Sequence, residues 1–214
     1  SFIHIGALSR TGQIRPFDKR ADGLVVGEGG GVVVLKRLDD AIDEGDRVYA
    51  VIRGIGVSSD GRSGDVMAPS ISGQCAAYST AYQEAGVDPA SISYLEAHGT
   101  ATSVGDRTEL ASIRSFFGAP SAPLYGRSMG SLKSMIGHLL PAAGMASLIK
   151  TALALSNKVI PPTLHCDDPC DELADGPFHI ASETRAWIQA PVRGPRRAAI
   201  NAFGFGGINT HLIL

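Results

Sequence analysis

Two histidines stand where proton-level chemistry can occur. His98 lies in Glu96-Ala97-His98-Gly99-Thr100-Ala101-Thr102, where a short apolar run gives way to a loop of small residues. In open α/β sheets the carboxyl end of a strand is where ligands bind; a lone histidine there would more often serve structure. A second one, His138, follows Gly137 and precedes the apolar segment Leu139 to Leu155. A helix amino terminus carries about half a positive charge, which disfavours an imidazolium. His138 is therefore expected to be a neutral imidazole that donates one hydrogen bond. Lys133 sits in the stretch Ser128 to Leu148, which holds no other charged side chain. A buried lysine needs a carboxylate or other hydrogen-bonding partners, and Glu109 is the nearest candidate in sequence. Glu109 also follows Asp106 at the spacing of a helix capping box, and both roles can hold.

The turn Asn201-Ala202-Phe203-Gly204-Phe205-Gly206-Gly207-Ile208-Asn209 interleaves aromatic residues with glycines. Glycines free backbone N–H groups to face a developing oxyanion, and aromatic rings exclude water. Taken alone, the same turn reads first as a tight hairpin with two core phenylalanines. The run Gly27 to Gly31 opens a β-branched segment rather than a helix and lacks a following G-K-[ST], so it is a poor phosphate loop.

Positioning these residues calls for alternating strands and helices. The β-branched run Val32 to Leu35 predicts a buried strand, Asp39 to Asp46 a short helix, and Val48 to Val57 a second strand. Pro69 to Gly86 has helical spacing and ends at a glycine. Ile92 to Ala97 reads as a strand, Asp106 to Phe117 as a helix, and Leu124 to Arg127 as another strand. Leu139 to Leu155 is apolar nearly all round, with Pro141 in its first turn, and predicts a helix buried on most sides at the centre of the fold. Strands at Phe178 to Ala181, Arg197 to Ala202 and Ile208 to Leu214 finish the chain, the last two joined by the glycine turn. The pattern is a layered α/β architecture.

Bulk properties narrow the function classes. The chain has 214 residues, 44% hydrophobic and 19% charged, with a formal charge of −2. That is globular composition, not the signature of disorder. The densest cationic spot, Arg193 to Arg197, is too short to argue for nucleic acid. No apolar run approaches the ~20 residues that span a bilayer, and no secretory signal opens the sequence. Cys75, Cys166 and Cys170 form no C-x-x-C pair and are odd in number, so a reducing cytoplasm is the expected location. No metal is expected.

Beyond these local features, the chain resembles the β-ketoacyl synthases along nearly its whole length. The resemblance is carried by Arg15-Pro16-Phe17-Asp18, Asp22-Gly23, Gly27-Glu28-Gly29, His98-Gly99-Thr100-x-Thr102, Gly105-Asp106-x-x-Glu109, Gly130-Ser131-x-Lys133, Gly137-His138 and Asn201-Ala202-Phe203-Gly204-Phe205-Gly206-Gly207-x-Asn209. It implies a thiolase-like layered α/β fold, of which this chain is the carboxyl-terminal half of a duplicated core. Residues 1–60 would complete the amino-terminal half, and 61–214 would form the second copy. The region of Trp187 and the ending Asn209 to Leu214 resemble the polyketide and polyunsaturated-fatty-acid synthases.

The resemblance also implies roles. The reaction is a decarboxylative Claisen condensation of an acyl thioester with a malonyl thioester, both carried on phosphopantetheine; no cofactor is bound directly. His98 and His138 assist decarboxylation and stabilise the enolate, and Lys133 with Glu109 holds that site. Thr100 and Thr102 bind the pantetheine amides, Phe205 is a gate whose N–H joins an oxyanion hole with Gly206 in support, and Phe203 and Asn209 contribute to substrate binding. The implied partners are an acyl carrier protein, a second copy in a homodimer, and an upstream half bearing the nucleophilic cysteine. None of the three cysteines has the small, serine-rich context of that nucleophile, so the fragment alone is expected to be inactive. Ala101 stands where the family usually has glycine, and Leu139 where it has threonine. Two rivals remain at this level: a non-catalytic partner akin to chain-length factors, and a decarboxylase-only domain.

Overall fold

Alternation of side chains along the central strands decides how the chain layers. The computed structural model describes residues 6–61, 68–118, 126–174, 176–189 and 194–214. Its strands are β1 (Gly54–Ser59), β2 (Tyr94–Glu96), β3 (Ser128–Gly130), β4 (Val159–Ile160), β5 (His179–Ile180), β6 (Arg185–Ala186), β7 (Ala198–Gly204) and β8 (Ile208–Ile213). Six of them form one sheet in the order β1-β8-β7-β2-β3-β5, and β4 pairs with β6 in a separate ribbon. The pairs β7/β2, β2/β3 and β3/β5 are parallel, whereas β1/β8 and β8/β7 are antiparallel.

Leu95 and Ala97 pack with Tyr78, Ala81, Leu110 and Ile113, which come from α2 (Ile71–Ala85) and α3 (Ser103–Phe117). Tyr94 points the other way, to Ala154 and Trp187, under α5 (Ala143–Asn157), which follows the single turn α4 (Lys133–Ile136). The two-residue period of a strand thus places α2 and α3 on one face and α5 on the other. The helix α2 lies directly on β1, because a Cβ at Gly56 would run into the Ala77 carbonyl. It starts at Ser70, whose hydroxyl accepts from Gly73 N, and stops at Gly86 in the left-handed conformation (φ 61°).

Several expectations change. The run Val32 to Leu35 is not a buried strand: Val32, Val34 and Leu35 are 89%, 93% and 72% exposed. Gly31 abuts Met145 and Ile149 of α5, but no described strand pairs with the run, and β-branched residues bury themselves only where a sheet receives them. The next strand begins at Gly54 instead of Val48, and it joins β8, so the main sheet already starts before residue 61. The short helix is α1 (Leu38–Asp43). Part of the strand expected at 124–127 lies outside the described residues; the observed strand is Ser128–Gly130. A 3₁₀ turn, Leu140–Ala142, carries Pro141 and leads into α5. That helix buries the stripe Ala143, Ser147, Thr151 and Ala154, while Leu153 is exposed, so it is half-covered rather than enclosed. No described helix is long and apolar enough to cross a membrane.

Candidate active site

The peptide of His98 is held from both ends. Beyond the end of β2, its N–H donates to Glu109 Oε1 at 2.8 Å, and Gly99 N donates to Oε2 at 2.8 Å. Its carbonyl accepts from Lys133 Nζ at 2.6 Å. The ring Nδ1 accepts from the Phe203 backbone N–H at 3.3 Å, with Lys133 Nζ 3.5 Å away. Burial, then the neighbouring charges of Lys133 and His138, hold the imidazole pKa well below its ordinary value. The ring is therefore neutral, and with Nδ1 accepting, the proton sits on Nε2.

His138 reaches the same condition by another route. Its backbone is gripped by the glycine lead-in: His138 N donates to Val25 O at 2.7 Å, and Gly27 N donates to His138 O at 3.0 Å. A Cβ at Gly27 would strike the Ile136 carbonyl, which is the physical need for glycine there. Nδ1 accepts from Leu140 N at 3.0 Å, so a helix-start N–H fixes the tautomer and leaves the proton on Nε2. The neutrality expected from the helix end is present, but its main cause is burial, followed by Lys133, which together lower the pKa to about 4. The two rings lie 5.6 Å apart, centroid to centroid, at 83°.

The expected Lys133–Glu109 ion pair is not formed. Lys133 binds the His98 carbonyl instead, while Glu109 accepts from His98 N, Gly99 N and, at 2.8 Å, Asn201 Nδ2. Lysine and carboxylate hold the same residue without touching each other. Burial lowers Lys133 to about 8 against the attraction of Glu96, Glu109 and Asp106. Burial also raises Glu109, opposed chiefly by the Gly99 N–H. Nor do Asp106 and Glu109 make a capping box. Thr102 occupies the cap of α3 with no side-chain bond, and Asp106 accepts from Phe17 N at 2.8 Å and Ala101 N at 3.1 Å. Both carboxylates organise the 98–101 loop, which bends through Ala101 at φ 62°.

A cavity of about 910 Å³ opens over these groups, lined among others by His98, His138, Thr100, Thr102, Phe203, Phe205 and Asn209. The Thr100 and Thr102 hydroxyls are 2.9 Å apart. Phe205 is 54% exposed at the tip of the β7–β8 hairpin. Gly206 and Gly207 have φ of 91° and 79°; Gly207 lines the cavity, and Gly206 shapes the turn without lining it. Asn209 donates to Asp60 Oδ1 at 2.7 Å. No described cysteine lines the cavity; Cys166 and Cys170 are pushed up by burial to about 12 and about 11.

Sequence reasoning missed four participants. Asn201 joins Glu109 to His211, Asp60 ties the hairpin turn, Val25 clamps His138, and Glu96 pairs with Lys150 at 2.7 Å. Glu96, buried beside Tyr94 at the strand end, carried a readable signal: a carboxylate in an apolar strand demands a cation.

Known proteins match the chain along nearly its whole length. Residues 49–167 match the family model "Beta-ketoacyl synthase, C-terminal domain" and residues 1–41 "Beta-ketoacyl synthase, N-terminal domain". The chain is 44% identical over 211 residues to a phenolphthiocerol/phthiocerol polyketide synthase polypeptide of Mycobacterium tuberculosis, covering 98% of this chain and 13% of that protein. It is 41% identical over 226 residues to a polyunsaturated fatty acid synthase polypeptide of a Thraustochytrium species, covering 100% of this chain and 8% of that one. The ketosynthase from module 6 of the Bacillus subtilis bacillaene synthase superposes with a TM-score of 0.92 at 36% identity, covering 99% of this chain and 38% of the other. The chain thus spans a small part of the curated relatives it matches. With its thiolase-like fold, it belongs to the β-ketoacyl synthase family, of the polyketide and polyunsaturated-fatty-acid synthase type.

Proposed function

We propose that this chain supplies the histidine and lysine side of a condensing site. In this reading the parent protein joins an acyl thioester to a malonyl thioester delivered by an acyl carrier protein on phosphopantetheine. The acyl group sits on a cysteine outside this sequence. The malonyl carboxylate leaves as carbon dioxide, and its bonding electrons pass to the α-carbon as an enolate. That carbon attacks the acyl carbonyl and expels the cysteine thiolate. His98 and His138 donate Nε2–H to the enolate oxygen, and Thr100 and Thr102 hold the pantetheine amides. Phe205 gates the cavity and its N–H supports the oxyanion, Gly206 shaping the turn that presents it, and Phe203 and Asn209 line the substrate path. The parent is read as a cytoplasmic homodimer, with the lead-in before β1 completing its amino-terminal half and this fragment inactive alone.

The observation that carries the reading is the pair of neutral rings 5.6 Å apart, each with Nδ1 occupied by a backbone N–H. Two preset donors converging on one cavity suit an oxyanion that develops during reaction. The test is to co-express the chain with an upstream ketosynthase half bearing the cysteine and follow radiolabelled acyl transfer and malonyl decarboxylation. Decarboxylation should fall by about 10²- to 10⁴-fold in His98→Ala and His138→Ala. A reconstituted pair with a cysteine that is never acylated overturns condensation; decarboxylation without acylation would point to the decarboxylase-only alternative, and neither activity to a chain-length-factor role.

A further inference from the structure

Glu96 ends β2 with its carboxylate wholly buried, and three donors converge on it. Oε1 accepts from Leu132 N at 2.7 Å. Oε2 accepts from the Tyr94 hydroxyl at 2.7 Å and from Lys150 Nζ at 2.7 Å. The Lys150 side chain, from α5, is 9% exposed. Neither Glu96 nor Lys150 lines the cavity.

Burying an ion pair is a poor way to gain stability, because desolvating each ion costs several kcal/mol and an apolar replacement is often as stable. What the pair supplies here is connection. Glu96 stands two residues before His98, Leu132 one residue before Lys133, and Lys150 on the helix that follows His138. The turn bearing Lys133 is fastened to the end of β2 by this carboxylate, and the carboxylate is fastened to α5 by the ammonium.

We propose that the Glu96–Lys150 ion pair is a positioning device that fixes the Leu132–Lys133 turn against β2 and so sets where the Lys133 ammonium stands beside His98. The inference deepens the condensing-site reading, on which its catalytic meaning rests, but the geometry it predicts is testable on this chain without any turnover. Around Lys133 the charged and titratable neighbours are Glu96, Glu109, Asp106, Lys150, His98 and His138. Glu96 draws the ammonium towards its charged form, and Lys150 repels it.

The experiment follows the side-chain resonances of Lys133 by NMR through a pH titration of the 214-residue chain, with ring nitrogen shifts of His98 recorded alongside. Glu96→Gln keeps an oxygen for Leu132 N but removes the charge, and Lys133 should then titrate lower by roughly one pH unit. Lys150→Met leaves Glu96 uncompensated, and Lys133 should titrate higher by a similar amount. Lys150→Arg should restore the wild-type titration and the His98 shifts. The opposite signs report charge alone; the loss of position is read at His98, whose ring shifts should move in both charge-removing variants as the Lys133 turn comes free, and unchanged His98 shifts in both overturn the proposal. Should Glu96→Gln not fold, Lys150→Met decides alone: His98 ring shifts identical to the wild type sink it. Failure of condensation with the titration shifts intact would reject the catalytic reading and leave the positioning device standing.

Discussion

At His138, burial beside Lys133 lowers the imidazole from 6.5 to about 4, and this has a signed consequence for stability. Between those values the unfolded chain binds the proton and the folded chain does not, so the group's contribution is complete above pH 6.5 and is lost as the pH falls towards 4. The shift corresponds to roughly 3 kcal/mol. Asp106, raised to about 7 chiefly by burial, works with the opposite sign, so the test is a difference. Relative to His138→Gln, the wild type should lose up to roughly 3 kcal/mol between about pH 7 and about pH 4, measured by urea unfolding across that range. At Ala101, φ 62° costs about 1–2 kcal/mol that glycine would avoid, but its methyl packs against Ile14 and Leu24. Burying that methyl returns about 0.8 kcal/mol, a large part of the strain, which is how an alanine can occupy a left-handed position in this loop.

Among the elements, α5 shows what the sequence made legible. Its apolar run and Pro141 located the helix to within about one turn, Pro141 falling in the 3₁₀ lead-in and α5 starting at Ala143, because propensity is local. How much of it would be covered depended on neighbours that a one-dimensional pattern does not contain. The same divide explains Val32 to Leu35, whose strand-like composition was plain and whose pairing was not. It also explains Asp106 and Glu109: their spacing fits a capping box, yet the 98–101 loop competes for the carboxylates and wins. The histidines were readable because each sits at an element boundary marked by small residues, whereas Asn201, Asp60 and Lys150 reach the site only through the sheet order. One boundary invites a stabilising change. Helix α5 ends at Lys158, exposed and left-handed at φ 57°. Lys158→Gly should raise stability by about 1 kcal/mol and Tm by about 3 °C in a calorimetric scan.

On the scale of the whole molecule, apolar side chains gather on the lead-in: Val32, Val34, Leu35, Val48, Tyr49 and Ile52 are all exposed. An exposed apolar surface of this kind promotes association. The 214-residue chain should bind a hydrophobic dye and sediment with concentration-dependent size, and Val32→Lys with Val34→Lys should reduce both while lowering stability by less than about 1 kcal/mol. The chemistry gathers elsewhere, where one strand stops before its neighbour. Glu96 pairs with Ile200 as the last rung between β2 and β7, yet β7 runs on to Gly204. Phe203 N–H thus points across the sheet with no strand carbonyl left to receive it, and His98 Nδ1 takes that place. The imidazole is in effect one more rung of the ladder, and its proton is assigned by the mismatch in length between two strands. Extending β2 through His98 would return that N–H to the backbone and leave the ring to choose its own tautomer.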